Sequence, residues 1–84
     1  MERKIKYARF HTTLYIPGLG QLDTVLPPSN KTIQGLEMWE STGGVSLSAI
    51  AGASGAGVLA GEKVTMVIPW GNVVLAVFDG KKAN

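Results

Sequence analysis

A chain of 84 residues is one domain, and alone it buries only about 60–65% of its unfolded surface, so a monomer is marginal without further support. Cysteine is absent and His11 is the single histidine, which excludes disulfides, thiolate metal sites and a structural zinc. The net charge is only +2, yet Arg3, Lys4, Lys6 and Arg9 crowd the first ten residues against Glu2 alone. Oligomerisation is the remaining source of stability.

The basic start is followed by alternation, not by the apolar core of a signal peptide, so the cytoplasm or a virus particle is the expected setting. The expected organisation is a single β domain over 1–80 with a flexible tail at 81–84. From Lys4 to Ile16 the even positions Ala8, Phe10, Thr12, Leu14 and Ile16 suit a core. The odd positions Tyr7, Arg9, His11, Thr13 and Tyr15 suit a wet face of the same strand. With Lys4 and Lys6, the residues Tyr7, Arg9, His11 and Tyr15 form a candidate nucleic-acid or partner face, aromatics for stacking and cations for phosphates. The competing reading is a charged strand that guards an exposed sheet edge.

Pro17-Gly18 and Gly20 punctuate a turn. Leu22–Leu26 reads as a short strand halted by Pro27-Pro28, which cannot donate to a ladder. Lys31–Glu40 is the next strand, turned back by Ser41-Thr42-Gly43-Gly44 into Val45–Ala49. In that hairpin Leu36, Met38, Val45, Leu47 and Ala49 mark the buried face, and Ser46 and Ser48 the polar one. Trp39 falls outside, as a partner contact or a packed lid over a barrel end.

No charge occurs from Ser41 to Gly61. The Gly/Ala-rich part, Ala49–Gly61, is long enough for a membrane helix, but its glycines and serines make it weakly apolar, and a flexible loop is expected. Gly55–Ala60 fits G-x-G-x-x-A, which binds a pyrophosphate only when a long helix follows. Gly61, Val64, Thr65, Val67 and Pro69 work against that helix. The phosphate-loop pattern also fails, because Glu62 separates Gly61 from Lys63.

Val64–Phe78 contains no charged residue at all. Gly71-Asn72 at its centre is a two-residue hairpin signal, although Pro69 equally marks a strand end or a barrel corner. Both faces of Val73–Phe78 are apolar, so one face serves the core and the other needs cover, most economically from a second copy of the chain. Val74, Ala76, Phe78 and Trp70 are the candidate oligomer interface.

Ile68-Pro69-Trp70-Gly71-Asn72-Val73-Val74 resembles the closing corner of Src-homology and Sm-like small barrels, where an apolar-proline step leads through a tight turn into the last strand. The resemblance covers seven residues and implies a small barrel. The acidic loop and paired tryptophans of the peptide-binding members are missing, and no residue roles carry over.

No catalytic set, cofactor site or metal site is visible. Glu37 and Glu40 point to opposite faces of a strand, and His11 stands alone. The expectation is a mainly β protein: a small, partly open barrel of five or six strands with a flexible Gly/Ala-rich loop. Its expected work is non-enzymatic assembly, with itself or with another protein, in the manner of a virus-encoded accessory or inhibitor subunit. Nucleic-acid binding is the alternative, and a small membrane protein is the third reading.

Overall fold

The structure, a computed structural model, describes residues 3–29 and 31–80. The tail expected at 81–84, and Asn30 of the loop after the proline pair, lie outside the described residues. Strands β1 (Lys4–Phe10), β2 (Leu14–Ile16), β3 (Gly20–Leu22), β4 (Val25–Leu26), β5 (Glu37–Glu40), β6 (Gly44–Ile50), β7 (Lys63–Pro69) and β8 (Val73–Phe78) follow in chain order. A 3-10 turn, Trp70–Asn72, joins the last two. No α-helix occurs among the described residues, and none is long and apolar enough to cross a membrane.

The main sheet runs β8-β1-β5-β6-β7, all antiparallel, and curls into a half-barrel. β1 shares its inner edge between two partners, β5 at Lys4 and Ile5 and β4 at Ala8 and Arg9. β2 and β3 form a separate two-stranded ribbon. The concave side holds one cluster, with Phe10, Ile16, Leu22, Leu26, Leu47 and Ile68 among its most deeply buried members. Each such side chain stabilises the fold by about 1.5–3 kcal/mol relative to exposure. The Cα radius of gyration is 12.8 Å.

Several segments depart from simple alternation. The long strand expected from Lys4 to Ile16 breaks at His11–Thr13, where Asn72 captures the backbone. The His11 N–H donates to the Asn72 carbonyl at 2.8 Å, and the Thr12 N–H and hydroxyl donate to Asn72 Oδ1 at 3.3 and 3.4 Å. Thr12 is therefore exposed, while Ala8, Phe10, Leu14 and Ile16 are buried as expected. Leu22–Leu26 divides into β3 and β4. Of Lys31–Glu40 only Glu37–Glu40 is strand, because Gly35 takes φ +69° in a turn just before it.

Ser46 and Ser48 do not form a wet face. They are 7% and 0% exposed. Their ladder neighbours are larger: Trp39 and Val67 flank Ser46, and Glu37 and Thr65 flank Ser48. A small side chain between larger ones on both sides loses its water even on a convex surface.

The Gly71-Asn72 hairpin is not formed. Each of the four pairings that link β8 to β7 through β1, β5 and β6 is antiparallel, so β7 and β8 run in the same sense. A two-residue link joins only antiparallel neighbours. The chain instead turns the corner at Pro69 (φ −57°, ψ 147°) and continues as β8 beside β1. The barrel-corner reading of Pro69 describes this geometry.

Ala49 and Ile50 end β6, and the rest of the Gly/Ala-rich segment is a loop folded back on itself. Gly55 and Val58 exchange N–H···O bonds of 2.8 and 2.9 Å around Ala56 and Gly57, both at positive φ. That is the pattern of a primed two-residue turn. Ala51 and Glu62 close its base at 2.8 Å.

Candidate interaction site on the β1–β8 face

Residues directly opposite in a ladder share a face, so the β1–β8 register decides which side chains meet. Ile5 lies opposite Phe78, Ala8 opposite Ala76 and Phe10 opposite Val73, all toward the core. Tyr7 lies opposite Val77 and Arg9 opposite Leu75, on the outer side. Two irregularities allow this. Lys6 is the extra residue between Ile5 and Tyr7, and Val74 the extra residue between Val73 and Leu75. Such bulges shift the inside–outside phase of a strand by one.

The bulge in β8 divides the candidate oligomer interface. Ala76 and Phe78 are half-buried and pack on the core, whereas Val74 is 45% exposed. Leu75 and Val77, at 38% and 39%, join Val74 on the outside. Trp70, 38% exposed, sits at the corner and donates its Nε1–H to the Thr42 carbonyl at 3.2 Å. A contiguous apolar strip thus lies on the outer side of β8.

Beside it runs a cationic strip. Lys4, Lys6 and Arg9 are exposed on β1, with the half-buried Tyr7 among them. The one ion pair among the described residues is Arg3–Glu40, which leaves these three cations uncompensated. Arg3 stands at one end of the site, just before β1. Its guanidinium holds the Glu40 carboxyl below the usual range, chiefly through their hydrogen bond, and Glu40 in turn raises Arg3. His11 and Tyr15 do not share the strip. His11 lies in the bend after β1, and Tyr15, 73% exposed on β2, stands at the mouth of a separate cleft.

No family model, curated protein or solved structure matches this chain. The site therefore rests on its own geometry. β8 pairs only with β1, and β7 only with β6, so both present a free edge among the described residues. A strand edge is a row of unpaired N–H and C=O groups that templates pairing with another chain. β7 begins with Lys63 and carries Thr65 and the 49% exposed Val67 outside, whereas β8 has no charged side chain along its length and three exposed apolar ones. Among the described residues, no three of the His, Asp and Glu side chains come together.

The charge-free run pointed to β8, but the free edge was invisible without the topology. The cleft beside Tyr15 left no mark in the sequence at all, since its walls come from three distant segments.

Proposed function

We propose that the protein is a non-enzymatic structural or protein-interaction subunit, and that it assembles with copies of itself through β8. The observation that carries this reading is the conjunction on one strand of a free edge and three outward apolar side chains, Val74, Leu75 and Val77. Two β8 edges meeting about a two-fold axis extend the sheet and remove both edges at once. The small size of the chain favours the same outcome, because a half-barrel of this length gains proportionally more from a partner. The seven-residue likeness to Src-homology and Sm-like corners belongs to the proposal, supported by the Pro69 step and the tight turn into the last strand. A cysteine-free, Gly/Ala-rich subunit of a virus particle, or an inhibitor subunit in the cytoplasm, is the setting it fits.

Sedimentation equilibrium at micromolar concentration is the direct test. A dimer or larger closed oligomer is the expected result, and a monomer up to hundreds of micromolar overturns the reading.

Lys4, Lys6 and Arg9, without an ion-pair partner among the described residues, favour a second reading, binding of nucleic acid across β1. Tyr7 is half-buried and Tyr15 stands elsewhere, so the strip offers phosphate contacts with little stacking surface. Affinity for single-stranded oligonucleotides at low salt, reduced by Arg9→Ala, is its test. No binding at low salt ends it.

A further inference from the structure

No residue of β1 or β8 lines the cleft at Tyr15, which therefore does not depend on self-assembly. It is an open cleft of about 570 Å³ between the β2–β3 ribbon, the segment 31–34 and the arm 50–56. That volume is within the ordinary range of small-molecule sites, roughly 300–1,000 Å³. Its three walls are tied to one another by the backbone. The Gly18 carbonyl accepts from the Gly52 and Ala53 N–H groups at 2.9 and 3.3 Å, and the Gln34 carbonyl accepts from Ile50 N–H at 2.9 Å. Gly18 holds φ +83°, and a Cβ there would stand 2.7 Å from Ala51 Cβ, so the close approach of ribbon and arm requires glycine. The cleft is preformed.

Its lining is mixed, with Thr32, Gln34 and Ser54 beside the apolar side chains. Leu19, Leu22, Ile33 and Ile50 supply an apolar lining, and the Tyr15 ring stands exposed at the mouth. Among the described residues Lys31 is the one charged residue lining the cleft, and no aspartate or glutamate lines it. Lys31 takes no part in the one ion pair among the described residues. An open cleft with an apolar patch, an aromatic rim, neutral polar groups and one ammonium without an ion-pair partner among the described residues suits a ligand with an apolar or aromatic body and one terminal carboxylate.

We infer that this cleft is a binding site for a small apolar or aromatic carboxylate. The probe is 3-phenylpropionate, titrated into the 15N-labelled protein and compared with 3-phenylpropionamide, which keeps the body and loses the charge. Amide shifts should saturate and centre on Thr32–Gln34 and Gly52–Ala56. The acid should bind about threefold to fivefold tighter than the amide, the size of one exposed ion pair. Lys31→Met should abolish that preference and Lys31→Arg should keep it. Because Lys31 is exposed, neither change threatens the fold. Equal binding of acid and amide, a preference untouched by Lys31→Met, shifts spread over β1 and β8, or no saturable binding would each overturn the assignment.

Discussion

The Arg3 guanidinium lies over the Phe78 ring, its Cζ 3.8 Å from the ring centroid. In that position its Nε and Nη2 also donate to the two carboxylate oxygens of Glu40, at 2.9 and 3.2 Å. One side chain thereby connects the ends of β8, β1 and β5, beside backbone bonds from Glu40 N–H to the Arg3 carbonyl and from Asp79 N–H to the Lys4 carbonyl. A guanidinium provides this geometry because its planar fork can stack and chelate together.

The pH dependence follows from the lowered Glu40 pKa, caused first by its hydrogen bond with Arg3. A carboxyl whose folded pKa is depressed stabilises the fold above its unfolded value, about 4.3, and loses that contribution as pH falls through the folded value. Urea denaturation of the wild type and Glu40→Gln should show the variant less stable at pH 7 and the gap closing below pH 4. An unchanged gap at pH 3 would show that the carboxylate charge is irrelevant. Both groups reach solvent, so the effect is modest and salt-sensitive.

Gly44 is the tightest point of the β5–β6 hairpin. It is buried at φ +154°, and a Cβ there would collide with the Ile68 carbonyl oxygen on the neighbouring strand. Ser41 closes the same turn, its N–H and hydroxyl donating to the Gly44 carbonyl at 3.0 and 2.8 Å. Gly44→Ala should cost at least about 2 kcal/mol, a large part of a small domain's stability. Gly71→Ala is the control, since no atom lies within 4 Å of its Cβ position. It should be neutral or stabilising by up to about 1 kcal/mol. Thermal midpoints that fall equally for both would remove the steric account.

Alternation made β1, β6, β7 and β8 legible because the concave side of a half-barrel selects every second residue. It failed where a bulge inserts an extra residue. Lys6 and Val74 shift the phase, and in β8 nothing marks the shift because apolar residues occupy both sides. Gly71-Asn72 suits a hairpin and a corner alike. Only the pairing of β8 with β1, from Phe10 opposite Val73 to Ile5 opposite Phe78, decides between them, and such pairing is a tertiary property. The cationic strip of the candidate site was legible in the charges of β1. Tyr15 was misplaced because Thr12-Thr13 continues the strand pattern while the Asn72 side chain ends it.

Ser48 presents a buried hydroxyl without a hydrogen-bond partner among the described residues. Desolvating such a group without compensation costs about 1–3 kcal/mol. Ser48→Ala removes the hydroxyl and creates almost no cavity, so it should raise the denaturation midpoint by the equivalent of about 1 kcal/mol. Ser46→Ala, at a site with slight exposure, should change stability less. A midpoint lowered by Ser48→Ala would mean that the hydroxyl is satisfied after all.

The β8 bulge sharpens the test of assembly. Without it, Val74 and Leu75 would face opposite ways; with it, both are exposed, and the inward neighbour is Ala76, opposite the fully buried Ala8. Leu75→Lys and Val77→Lys should each fold, with far-UV circular dichroism like the wild type, and sediment as monomers. Their ammonium groups remain in water in the monomer but would be desolvated at a subunit contact. Ala76→Lys should instead unfold the chain, because an unpaired charge directed into the core costs several kcal/mol, roughly the stability of a domain this small. If Leu75→Lys and Val77→Lys keep the wild-type mass, the outward strip of β8 is not the contact and assembly uses another surface. If Ala76→Lys folds as well as Leu75→Lys, the register of β8 on β1 is wrong. Sedimentation velocity and circular dichroism on the same three variants separate these outcomes.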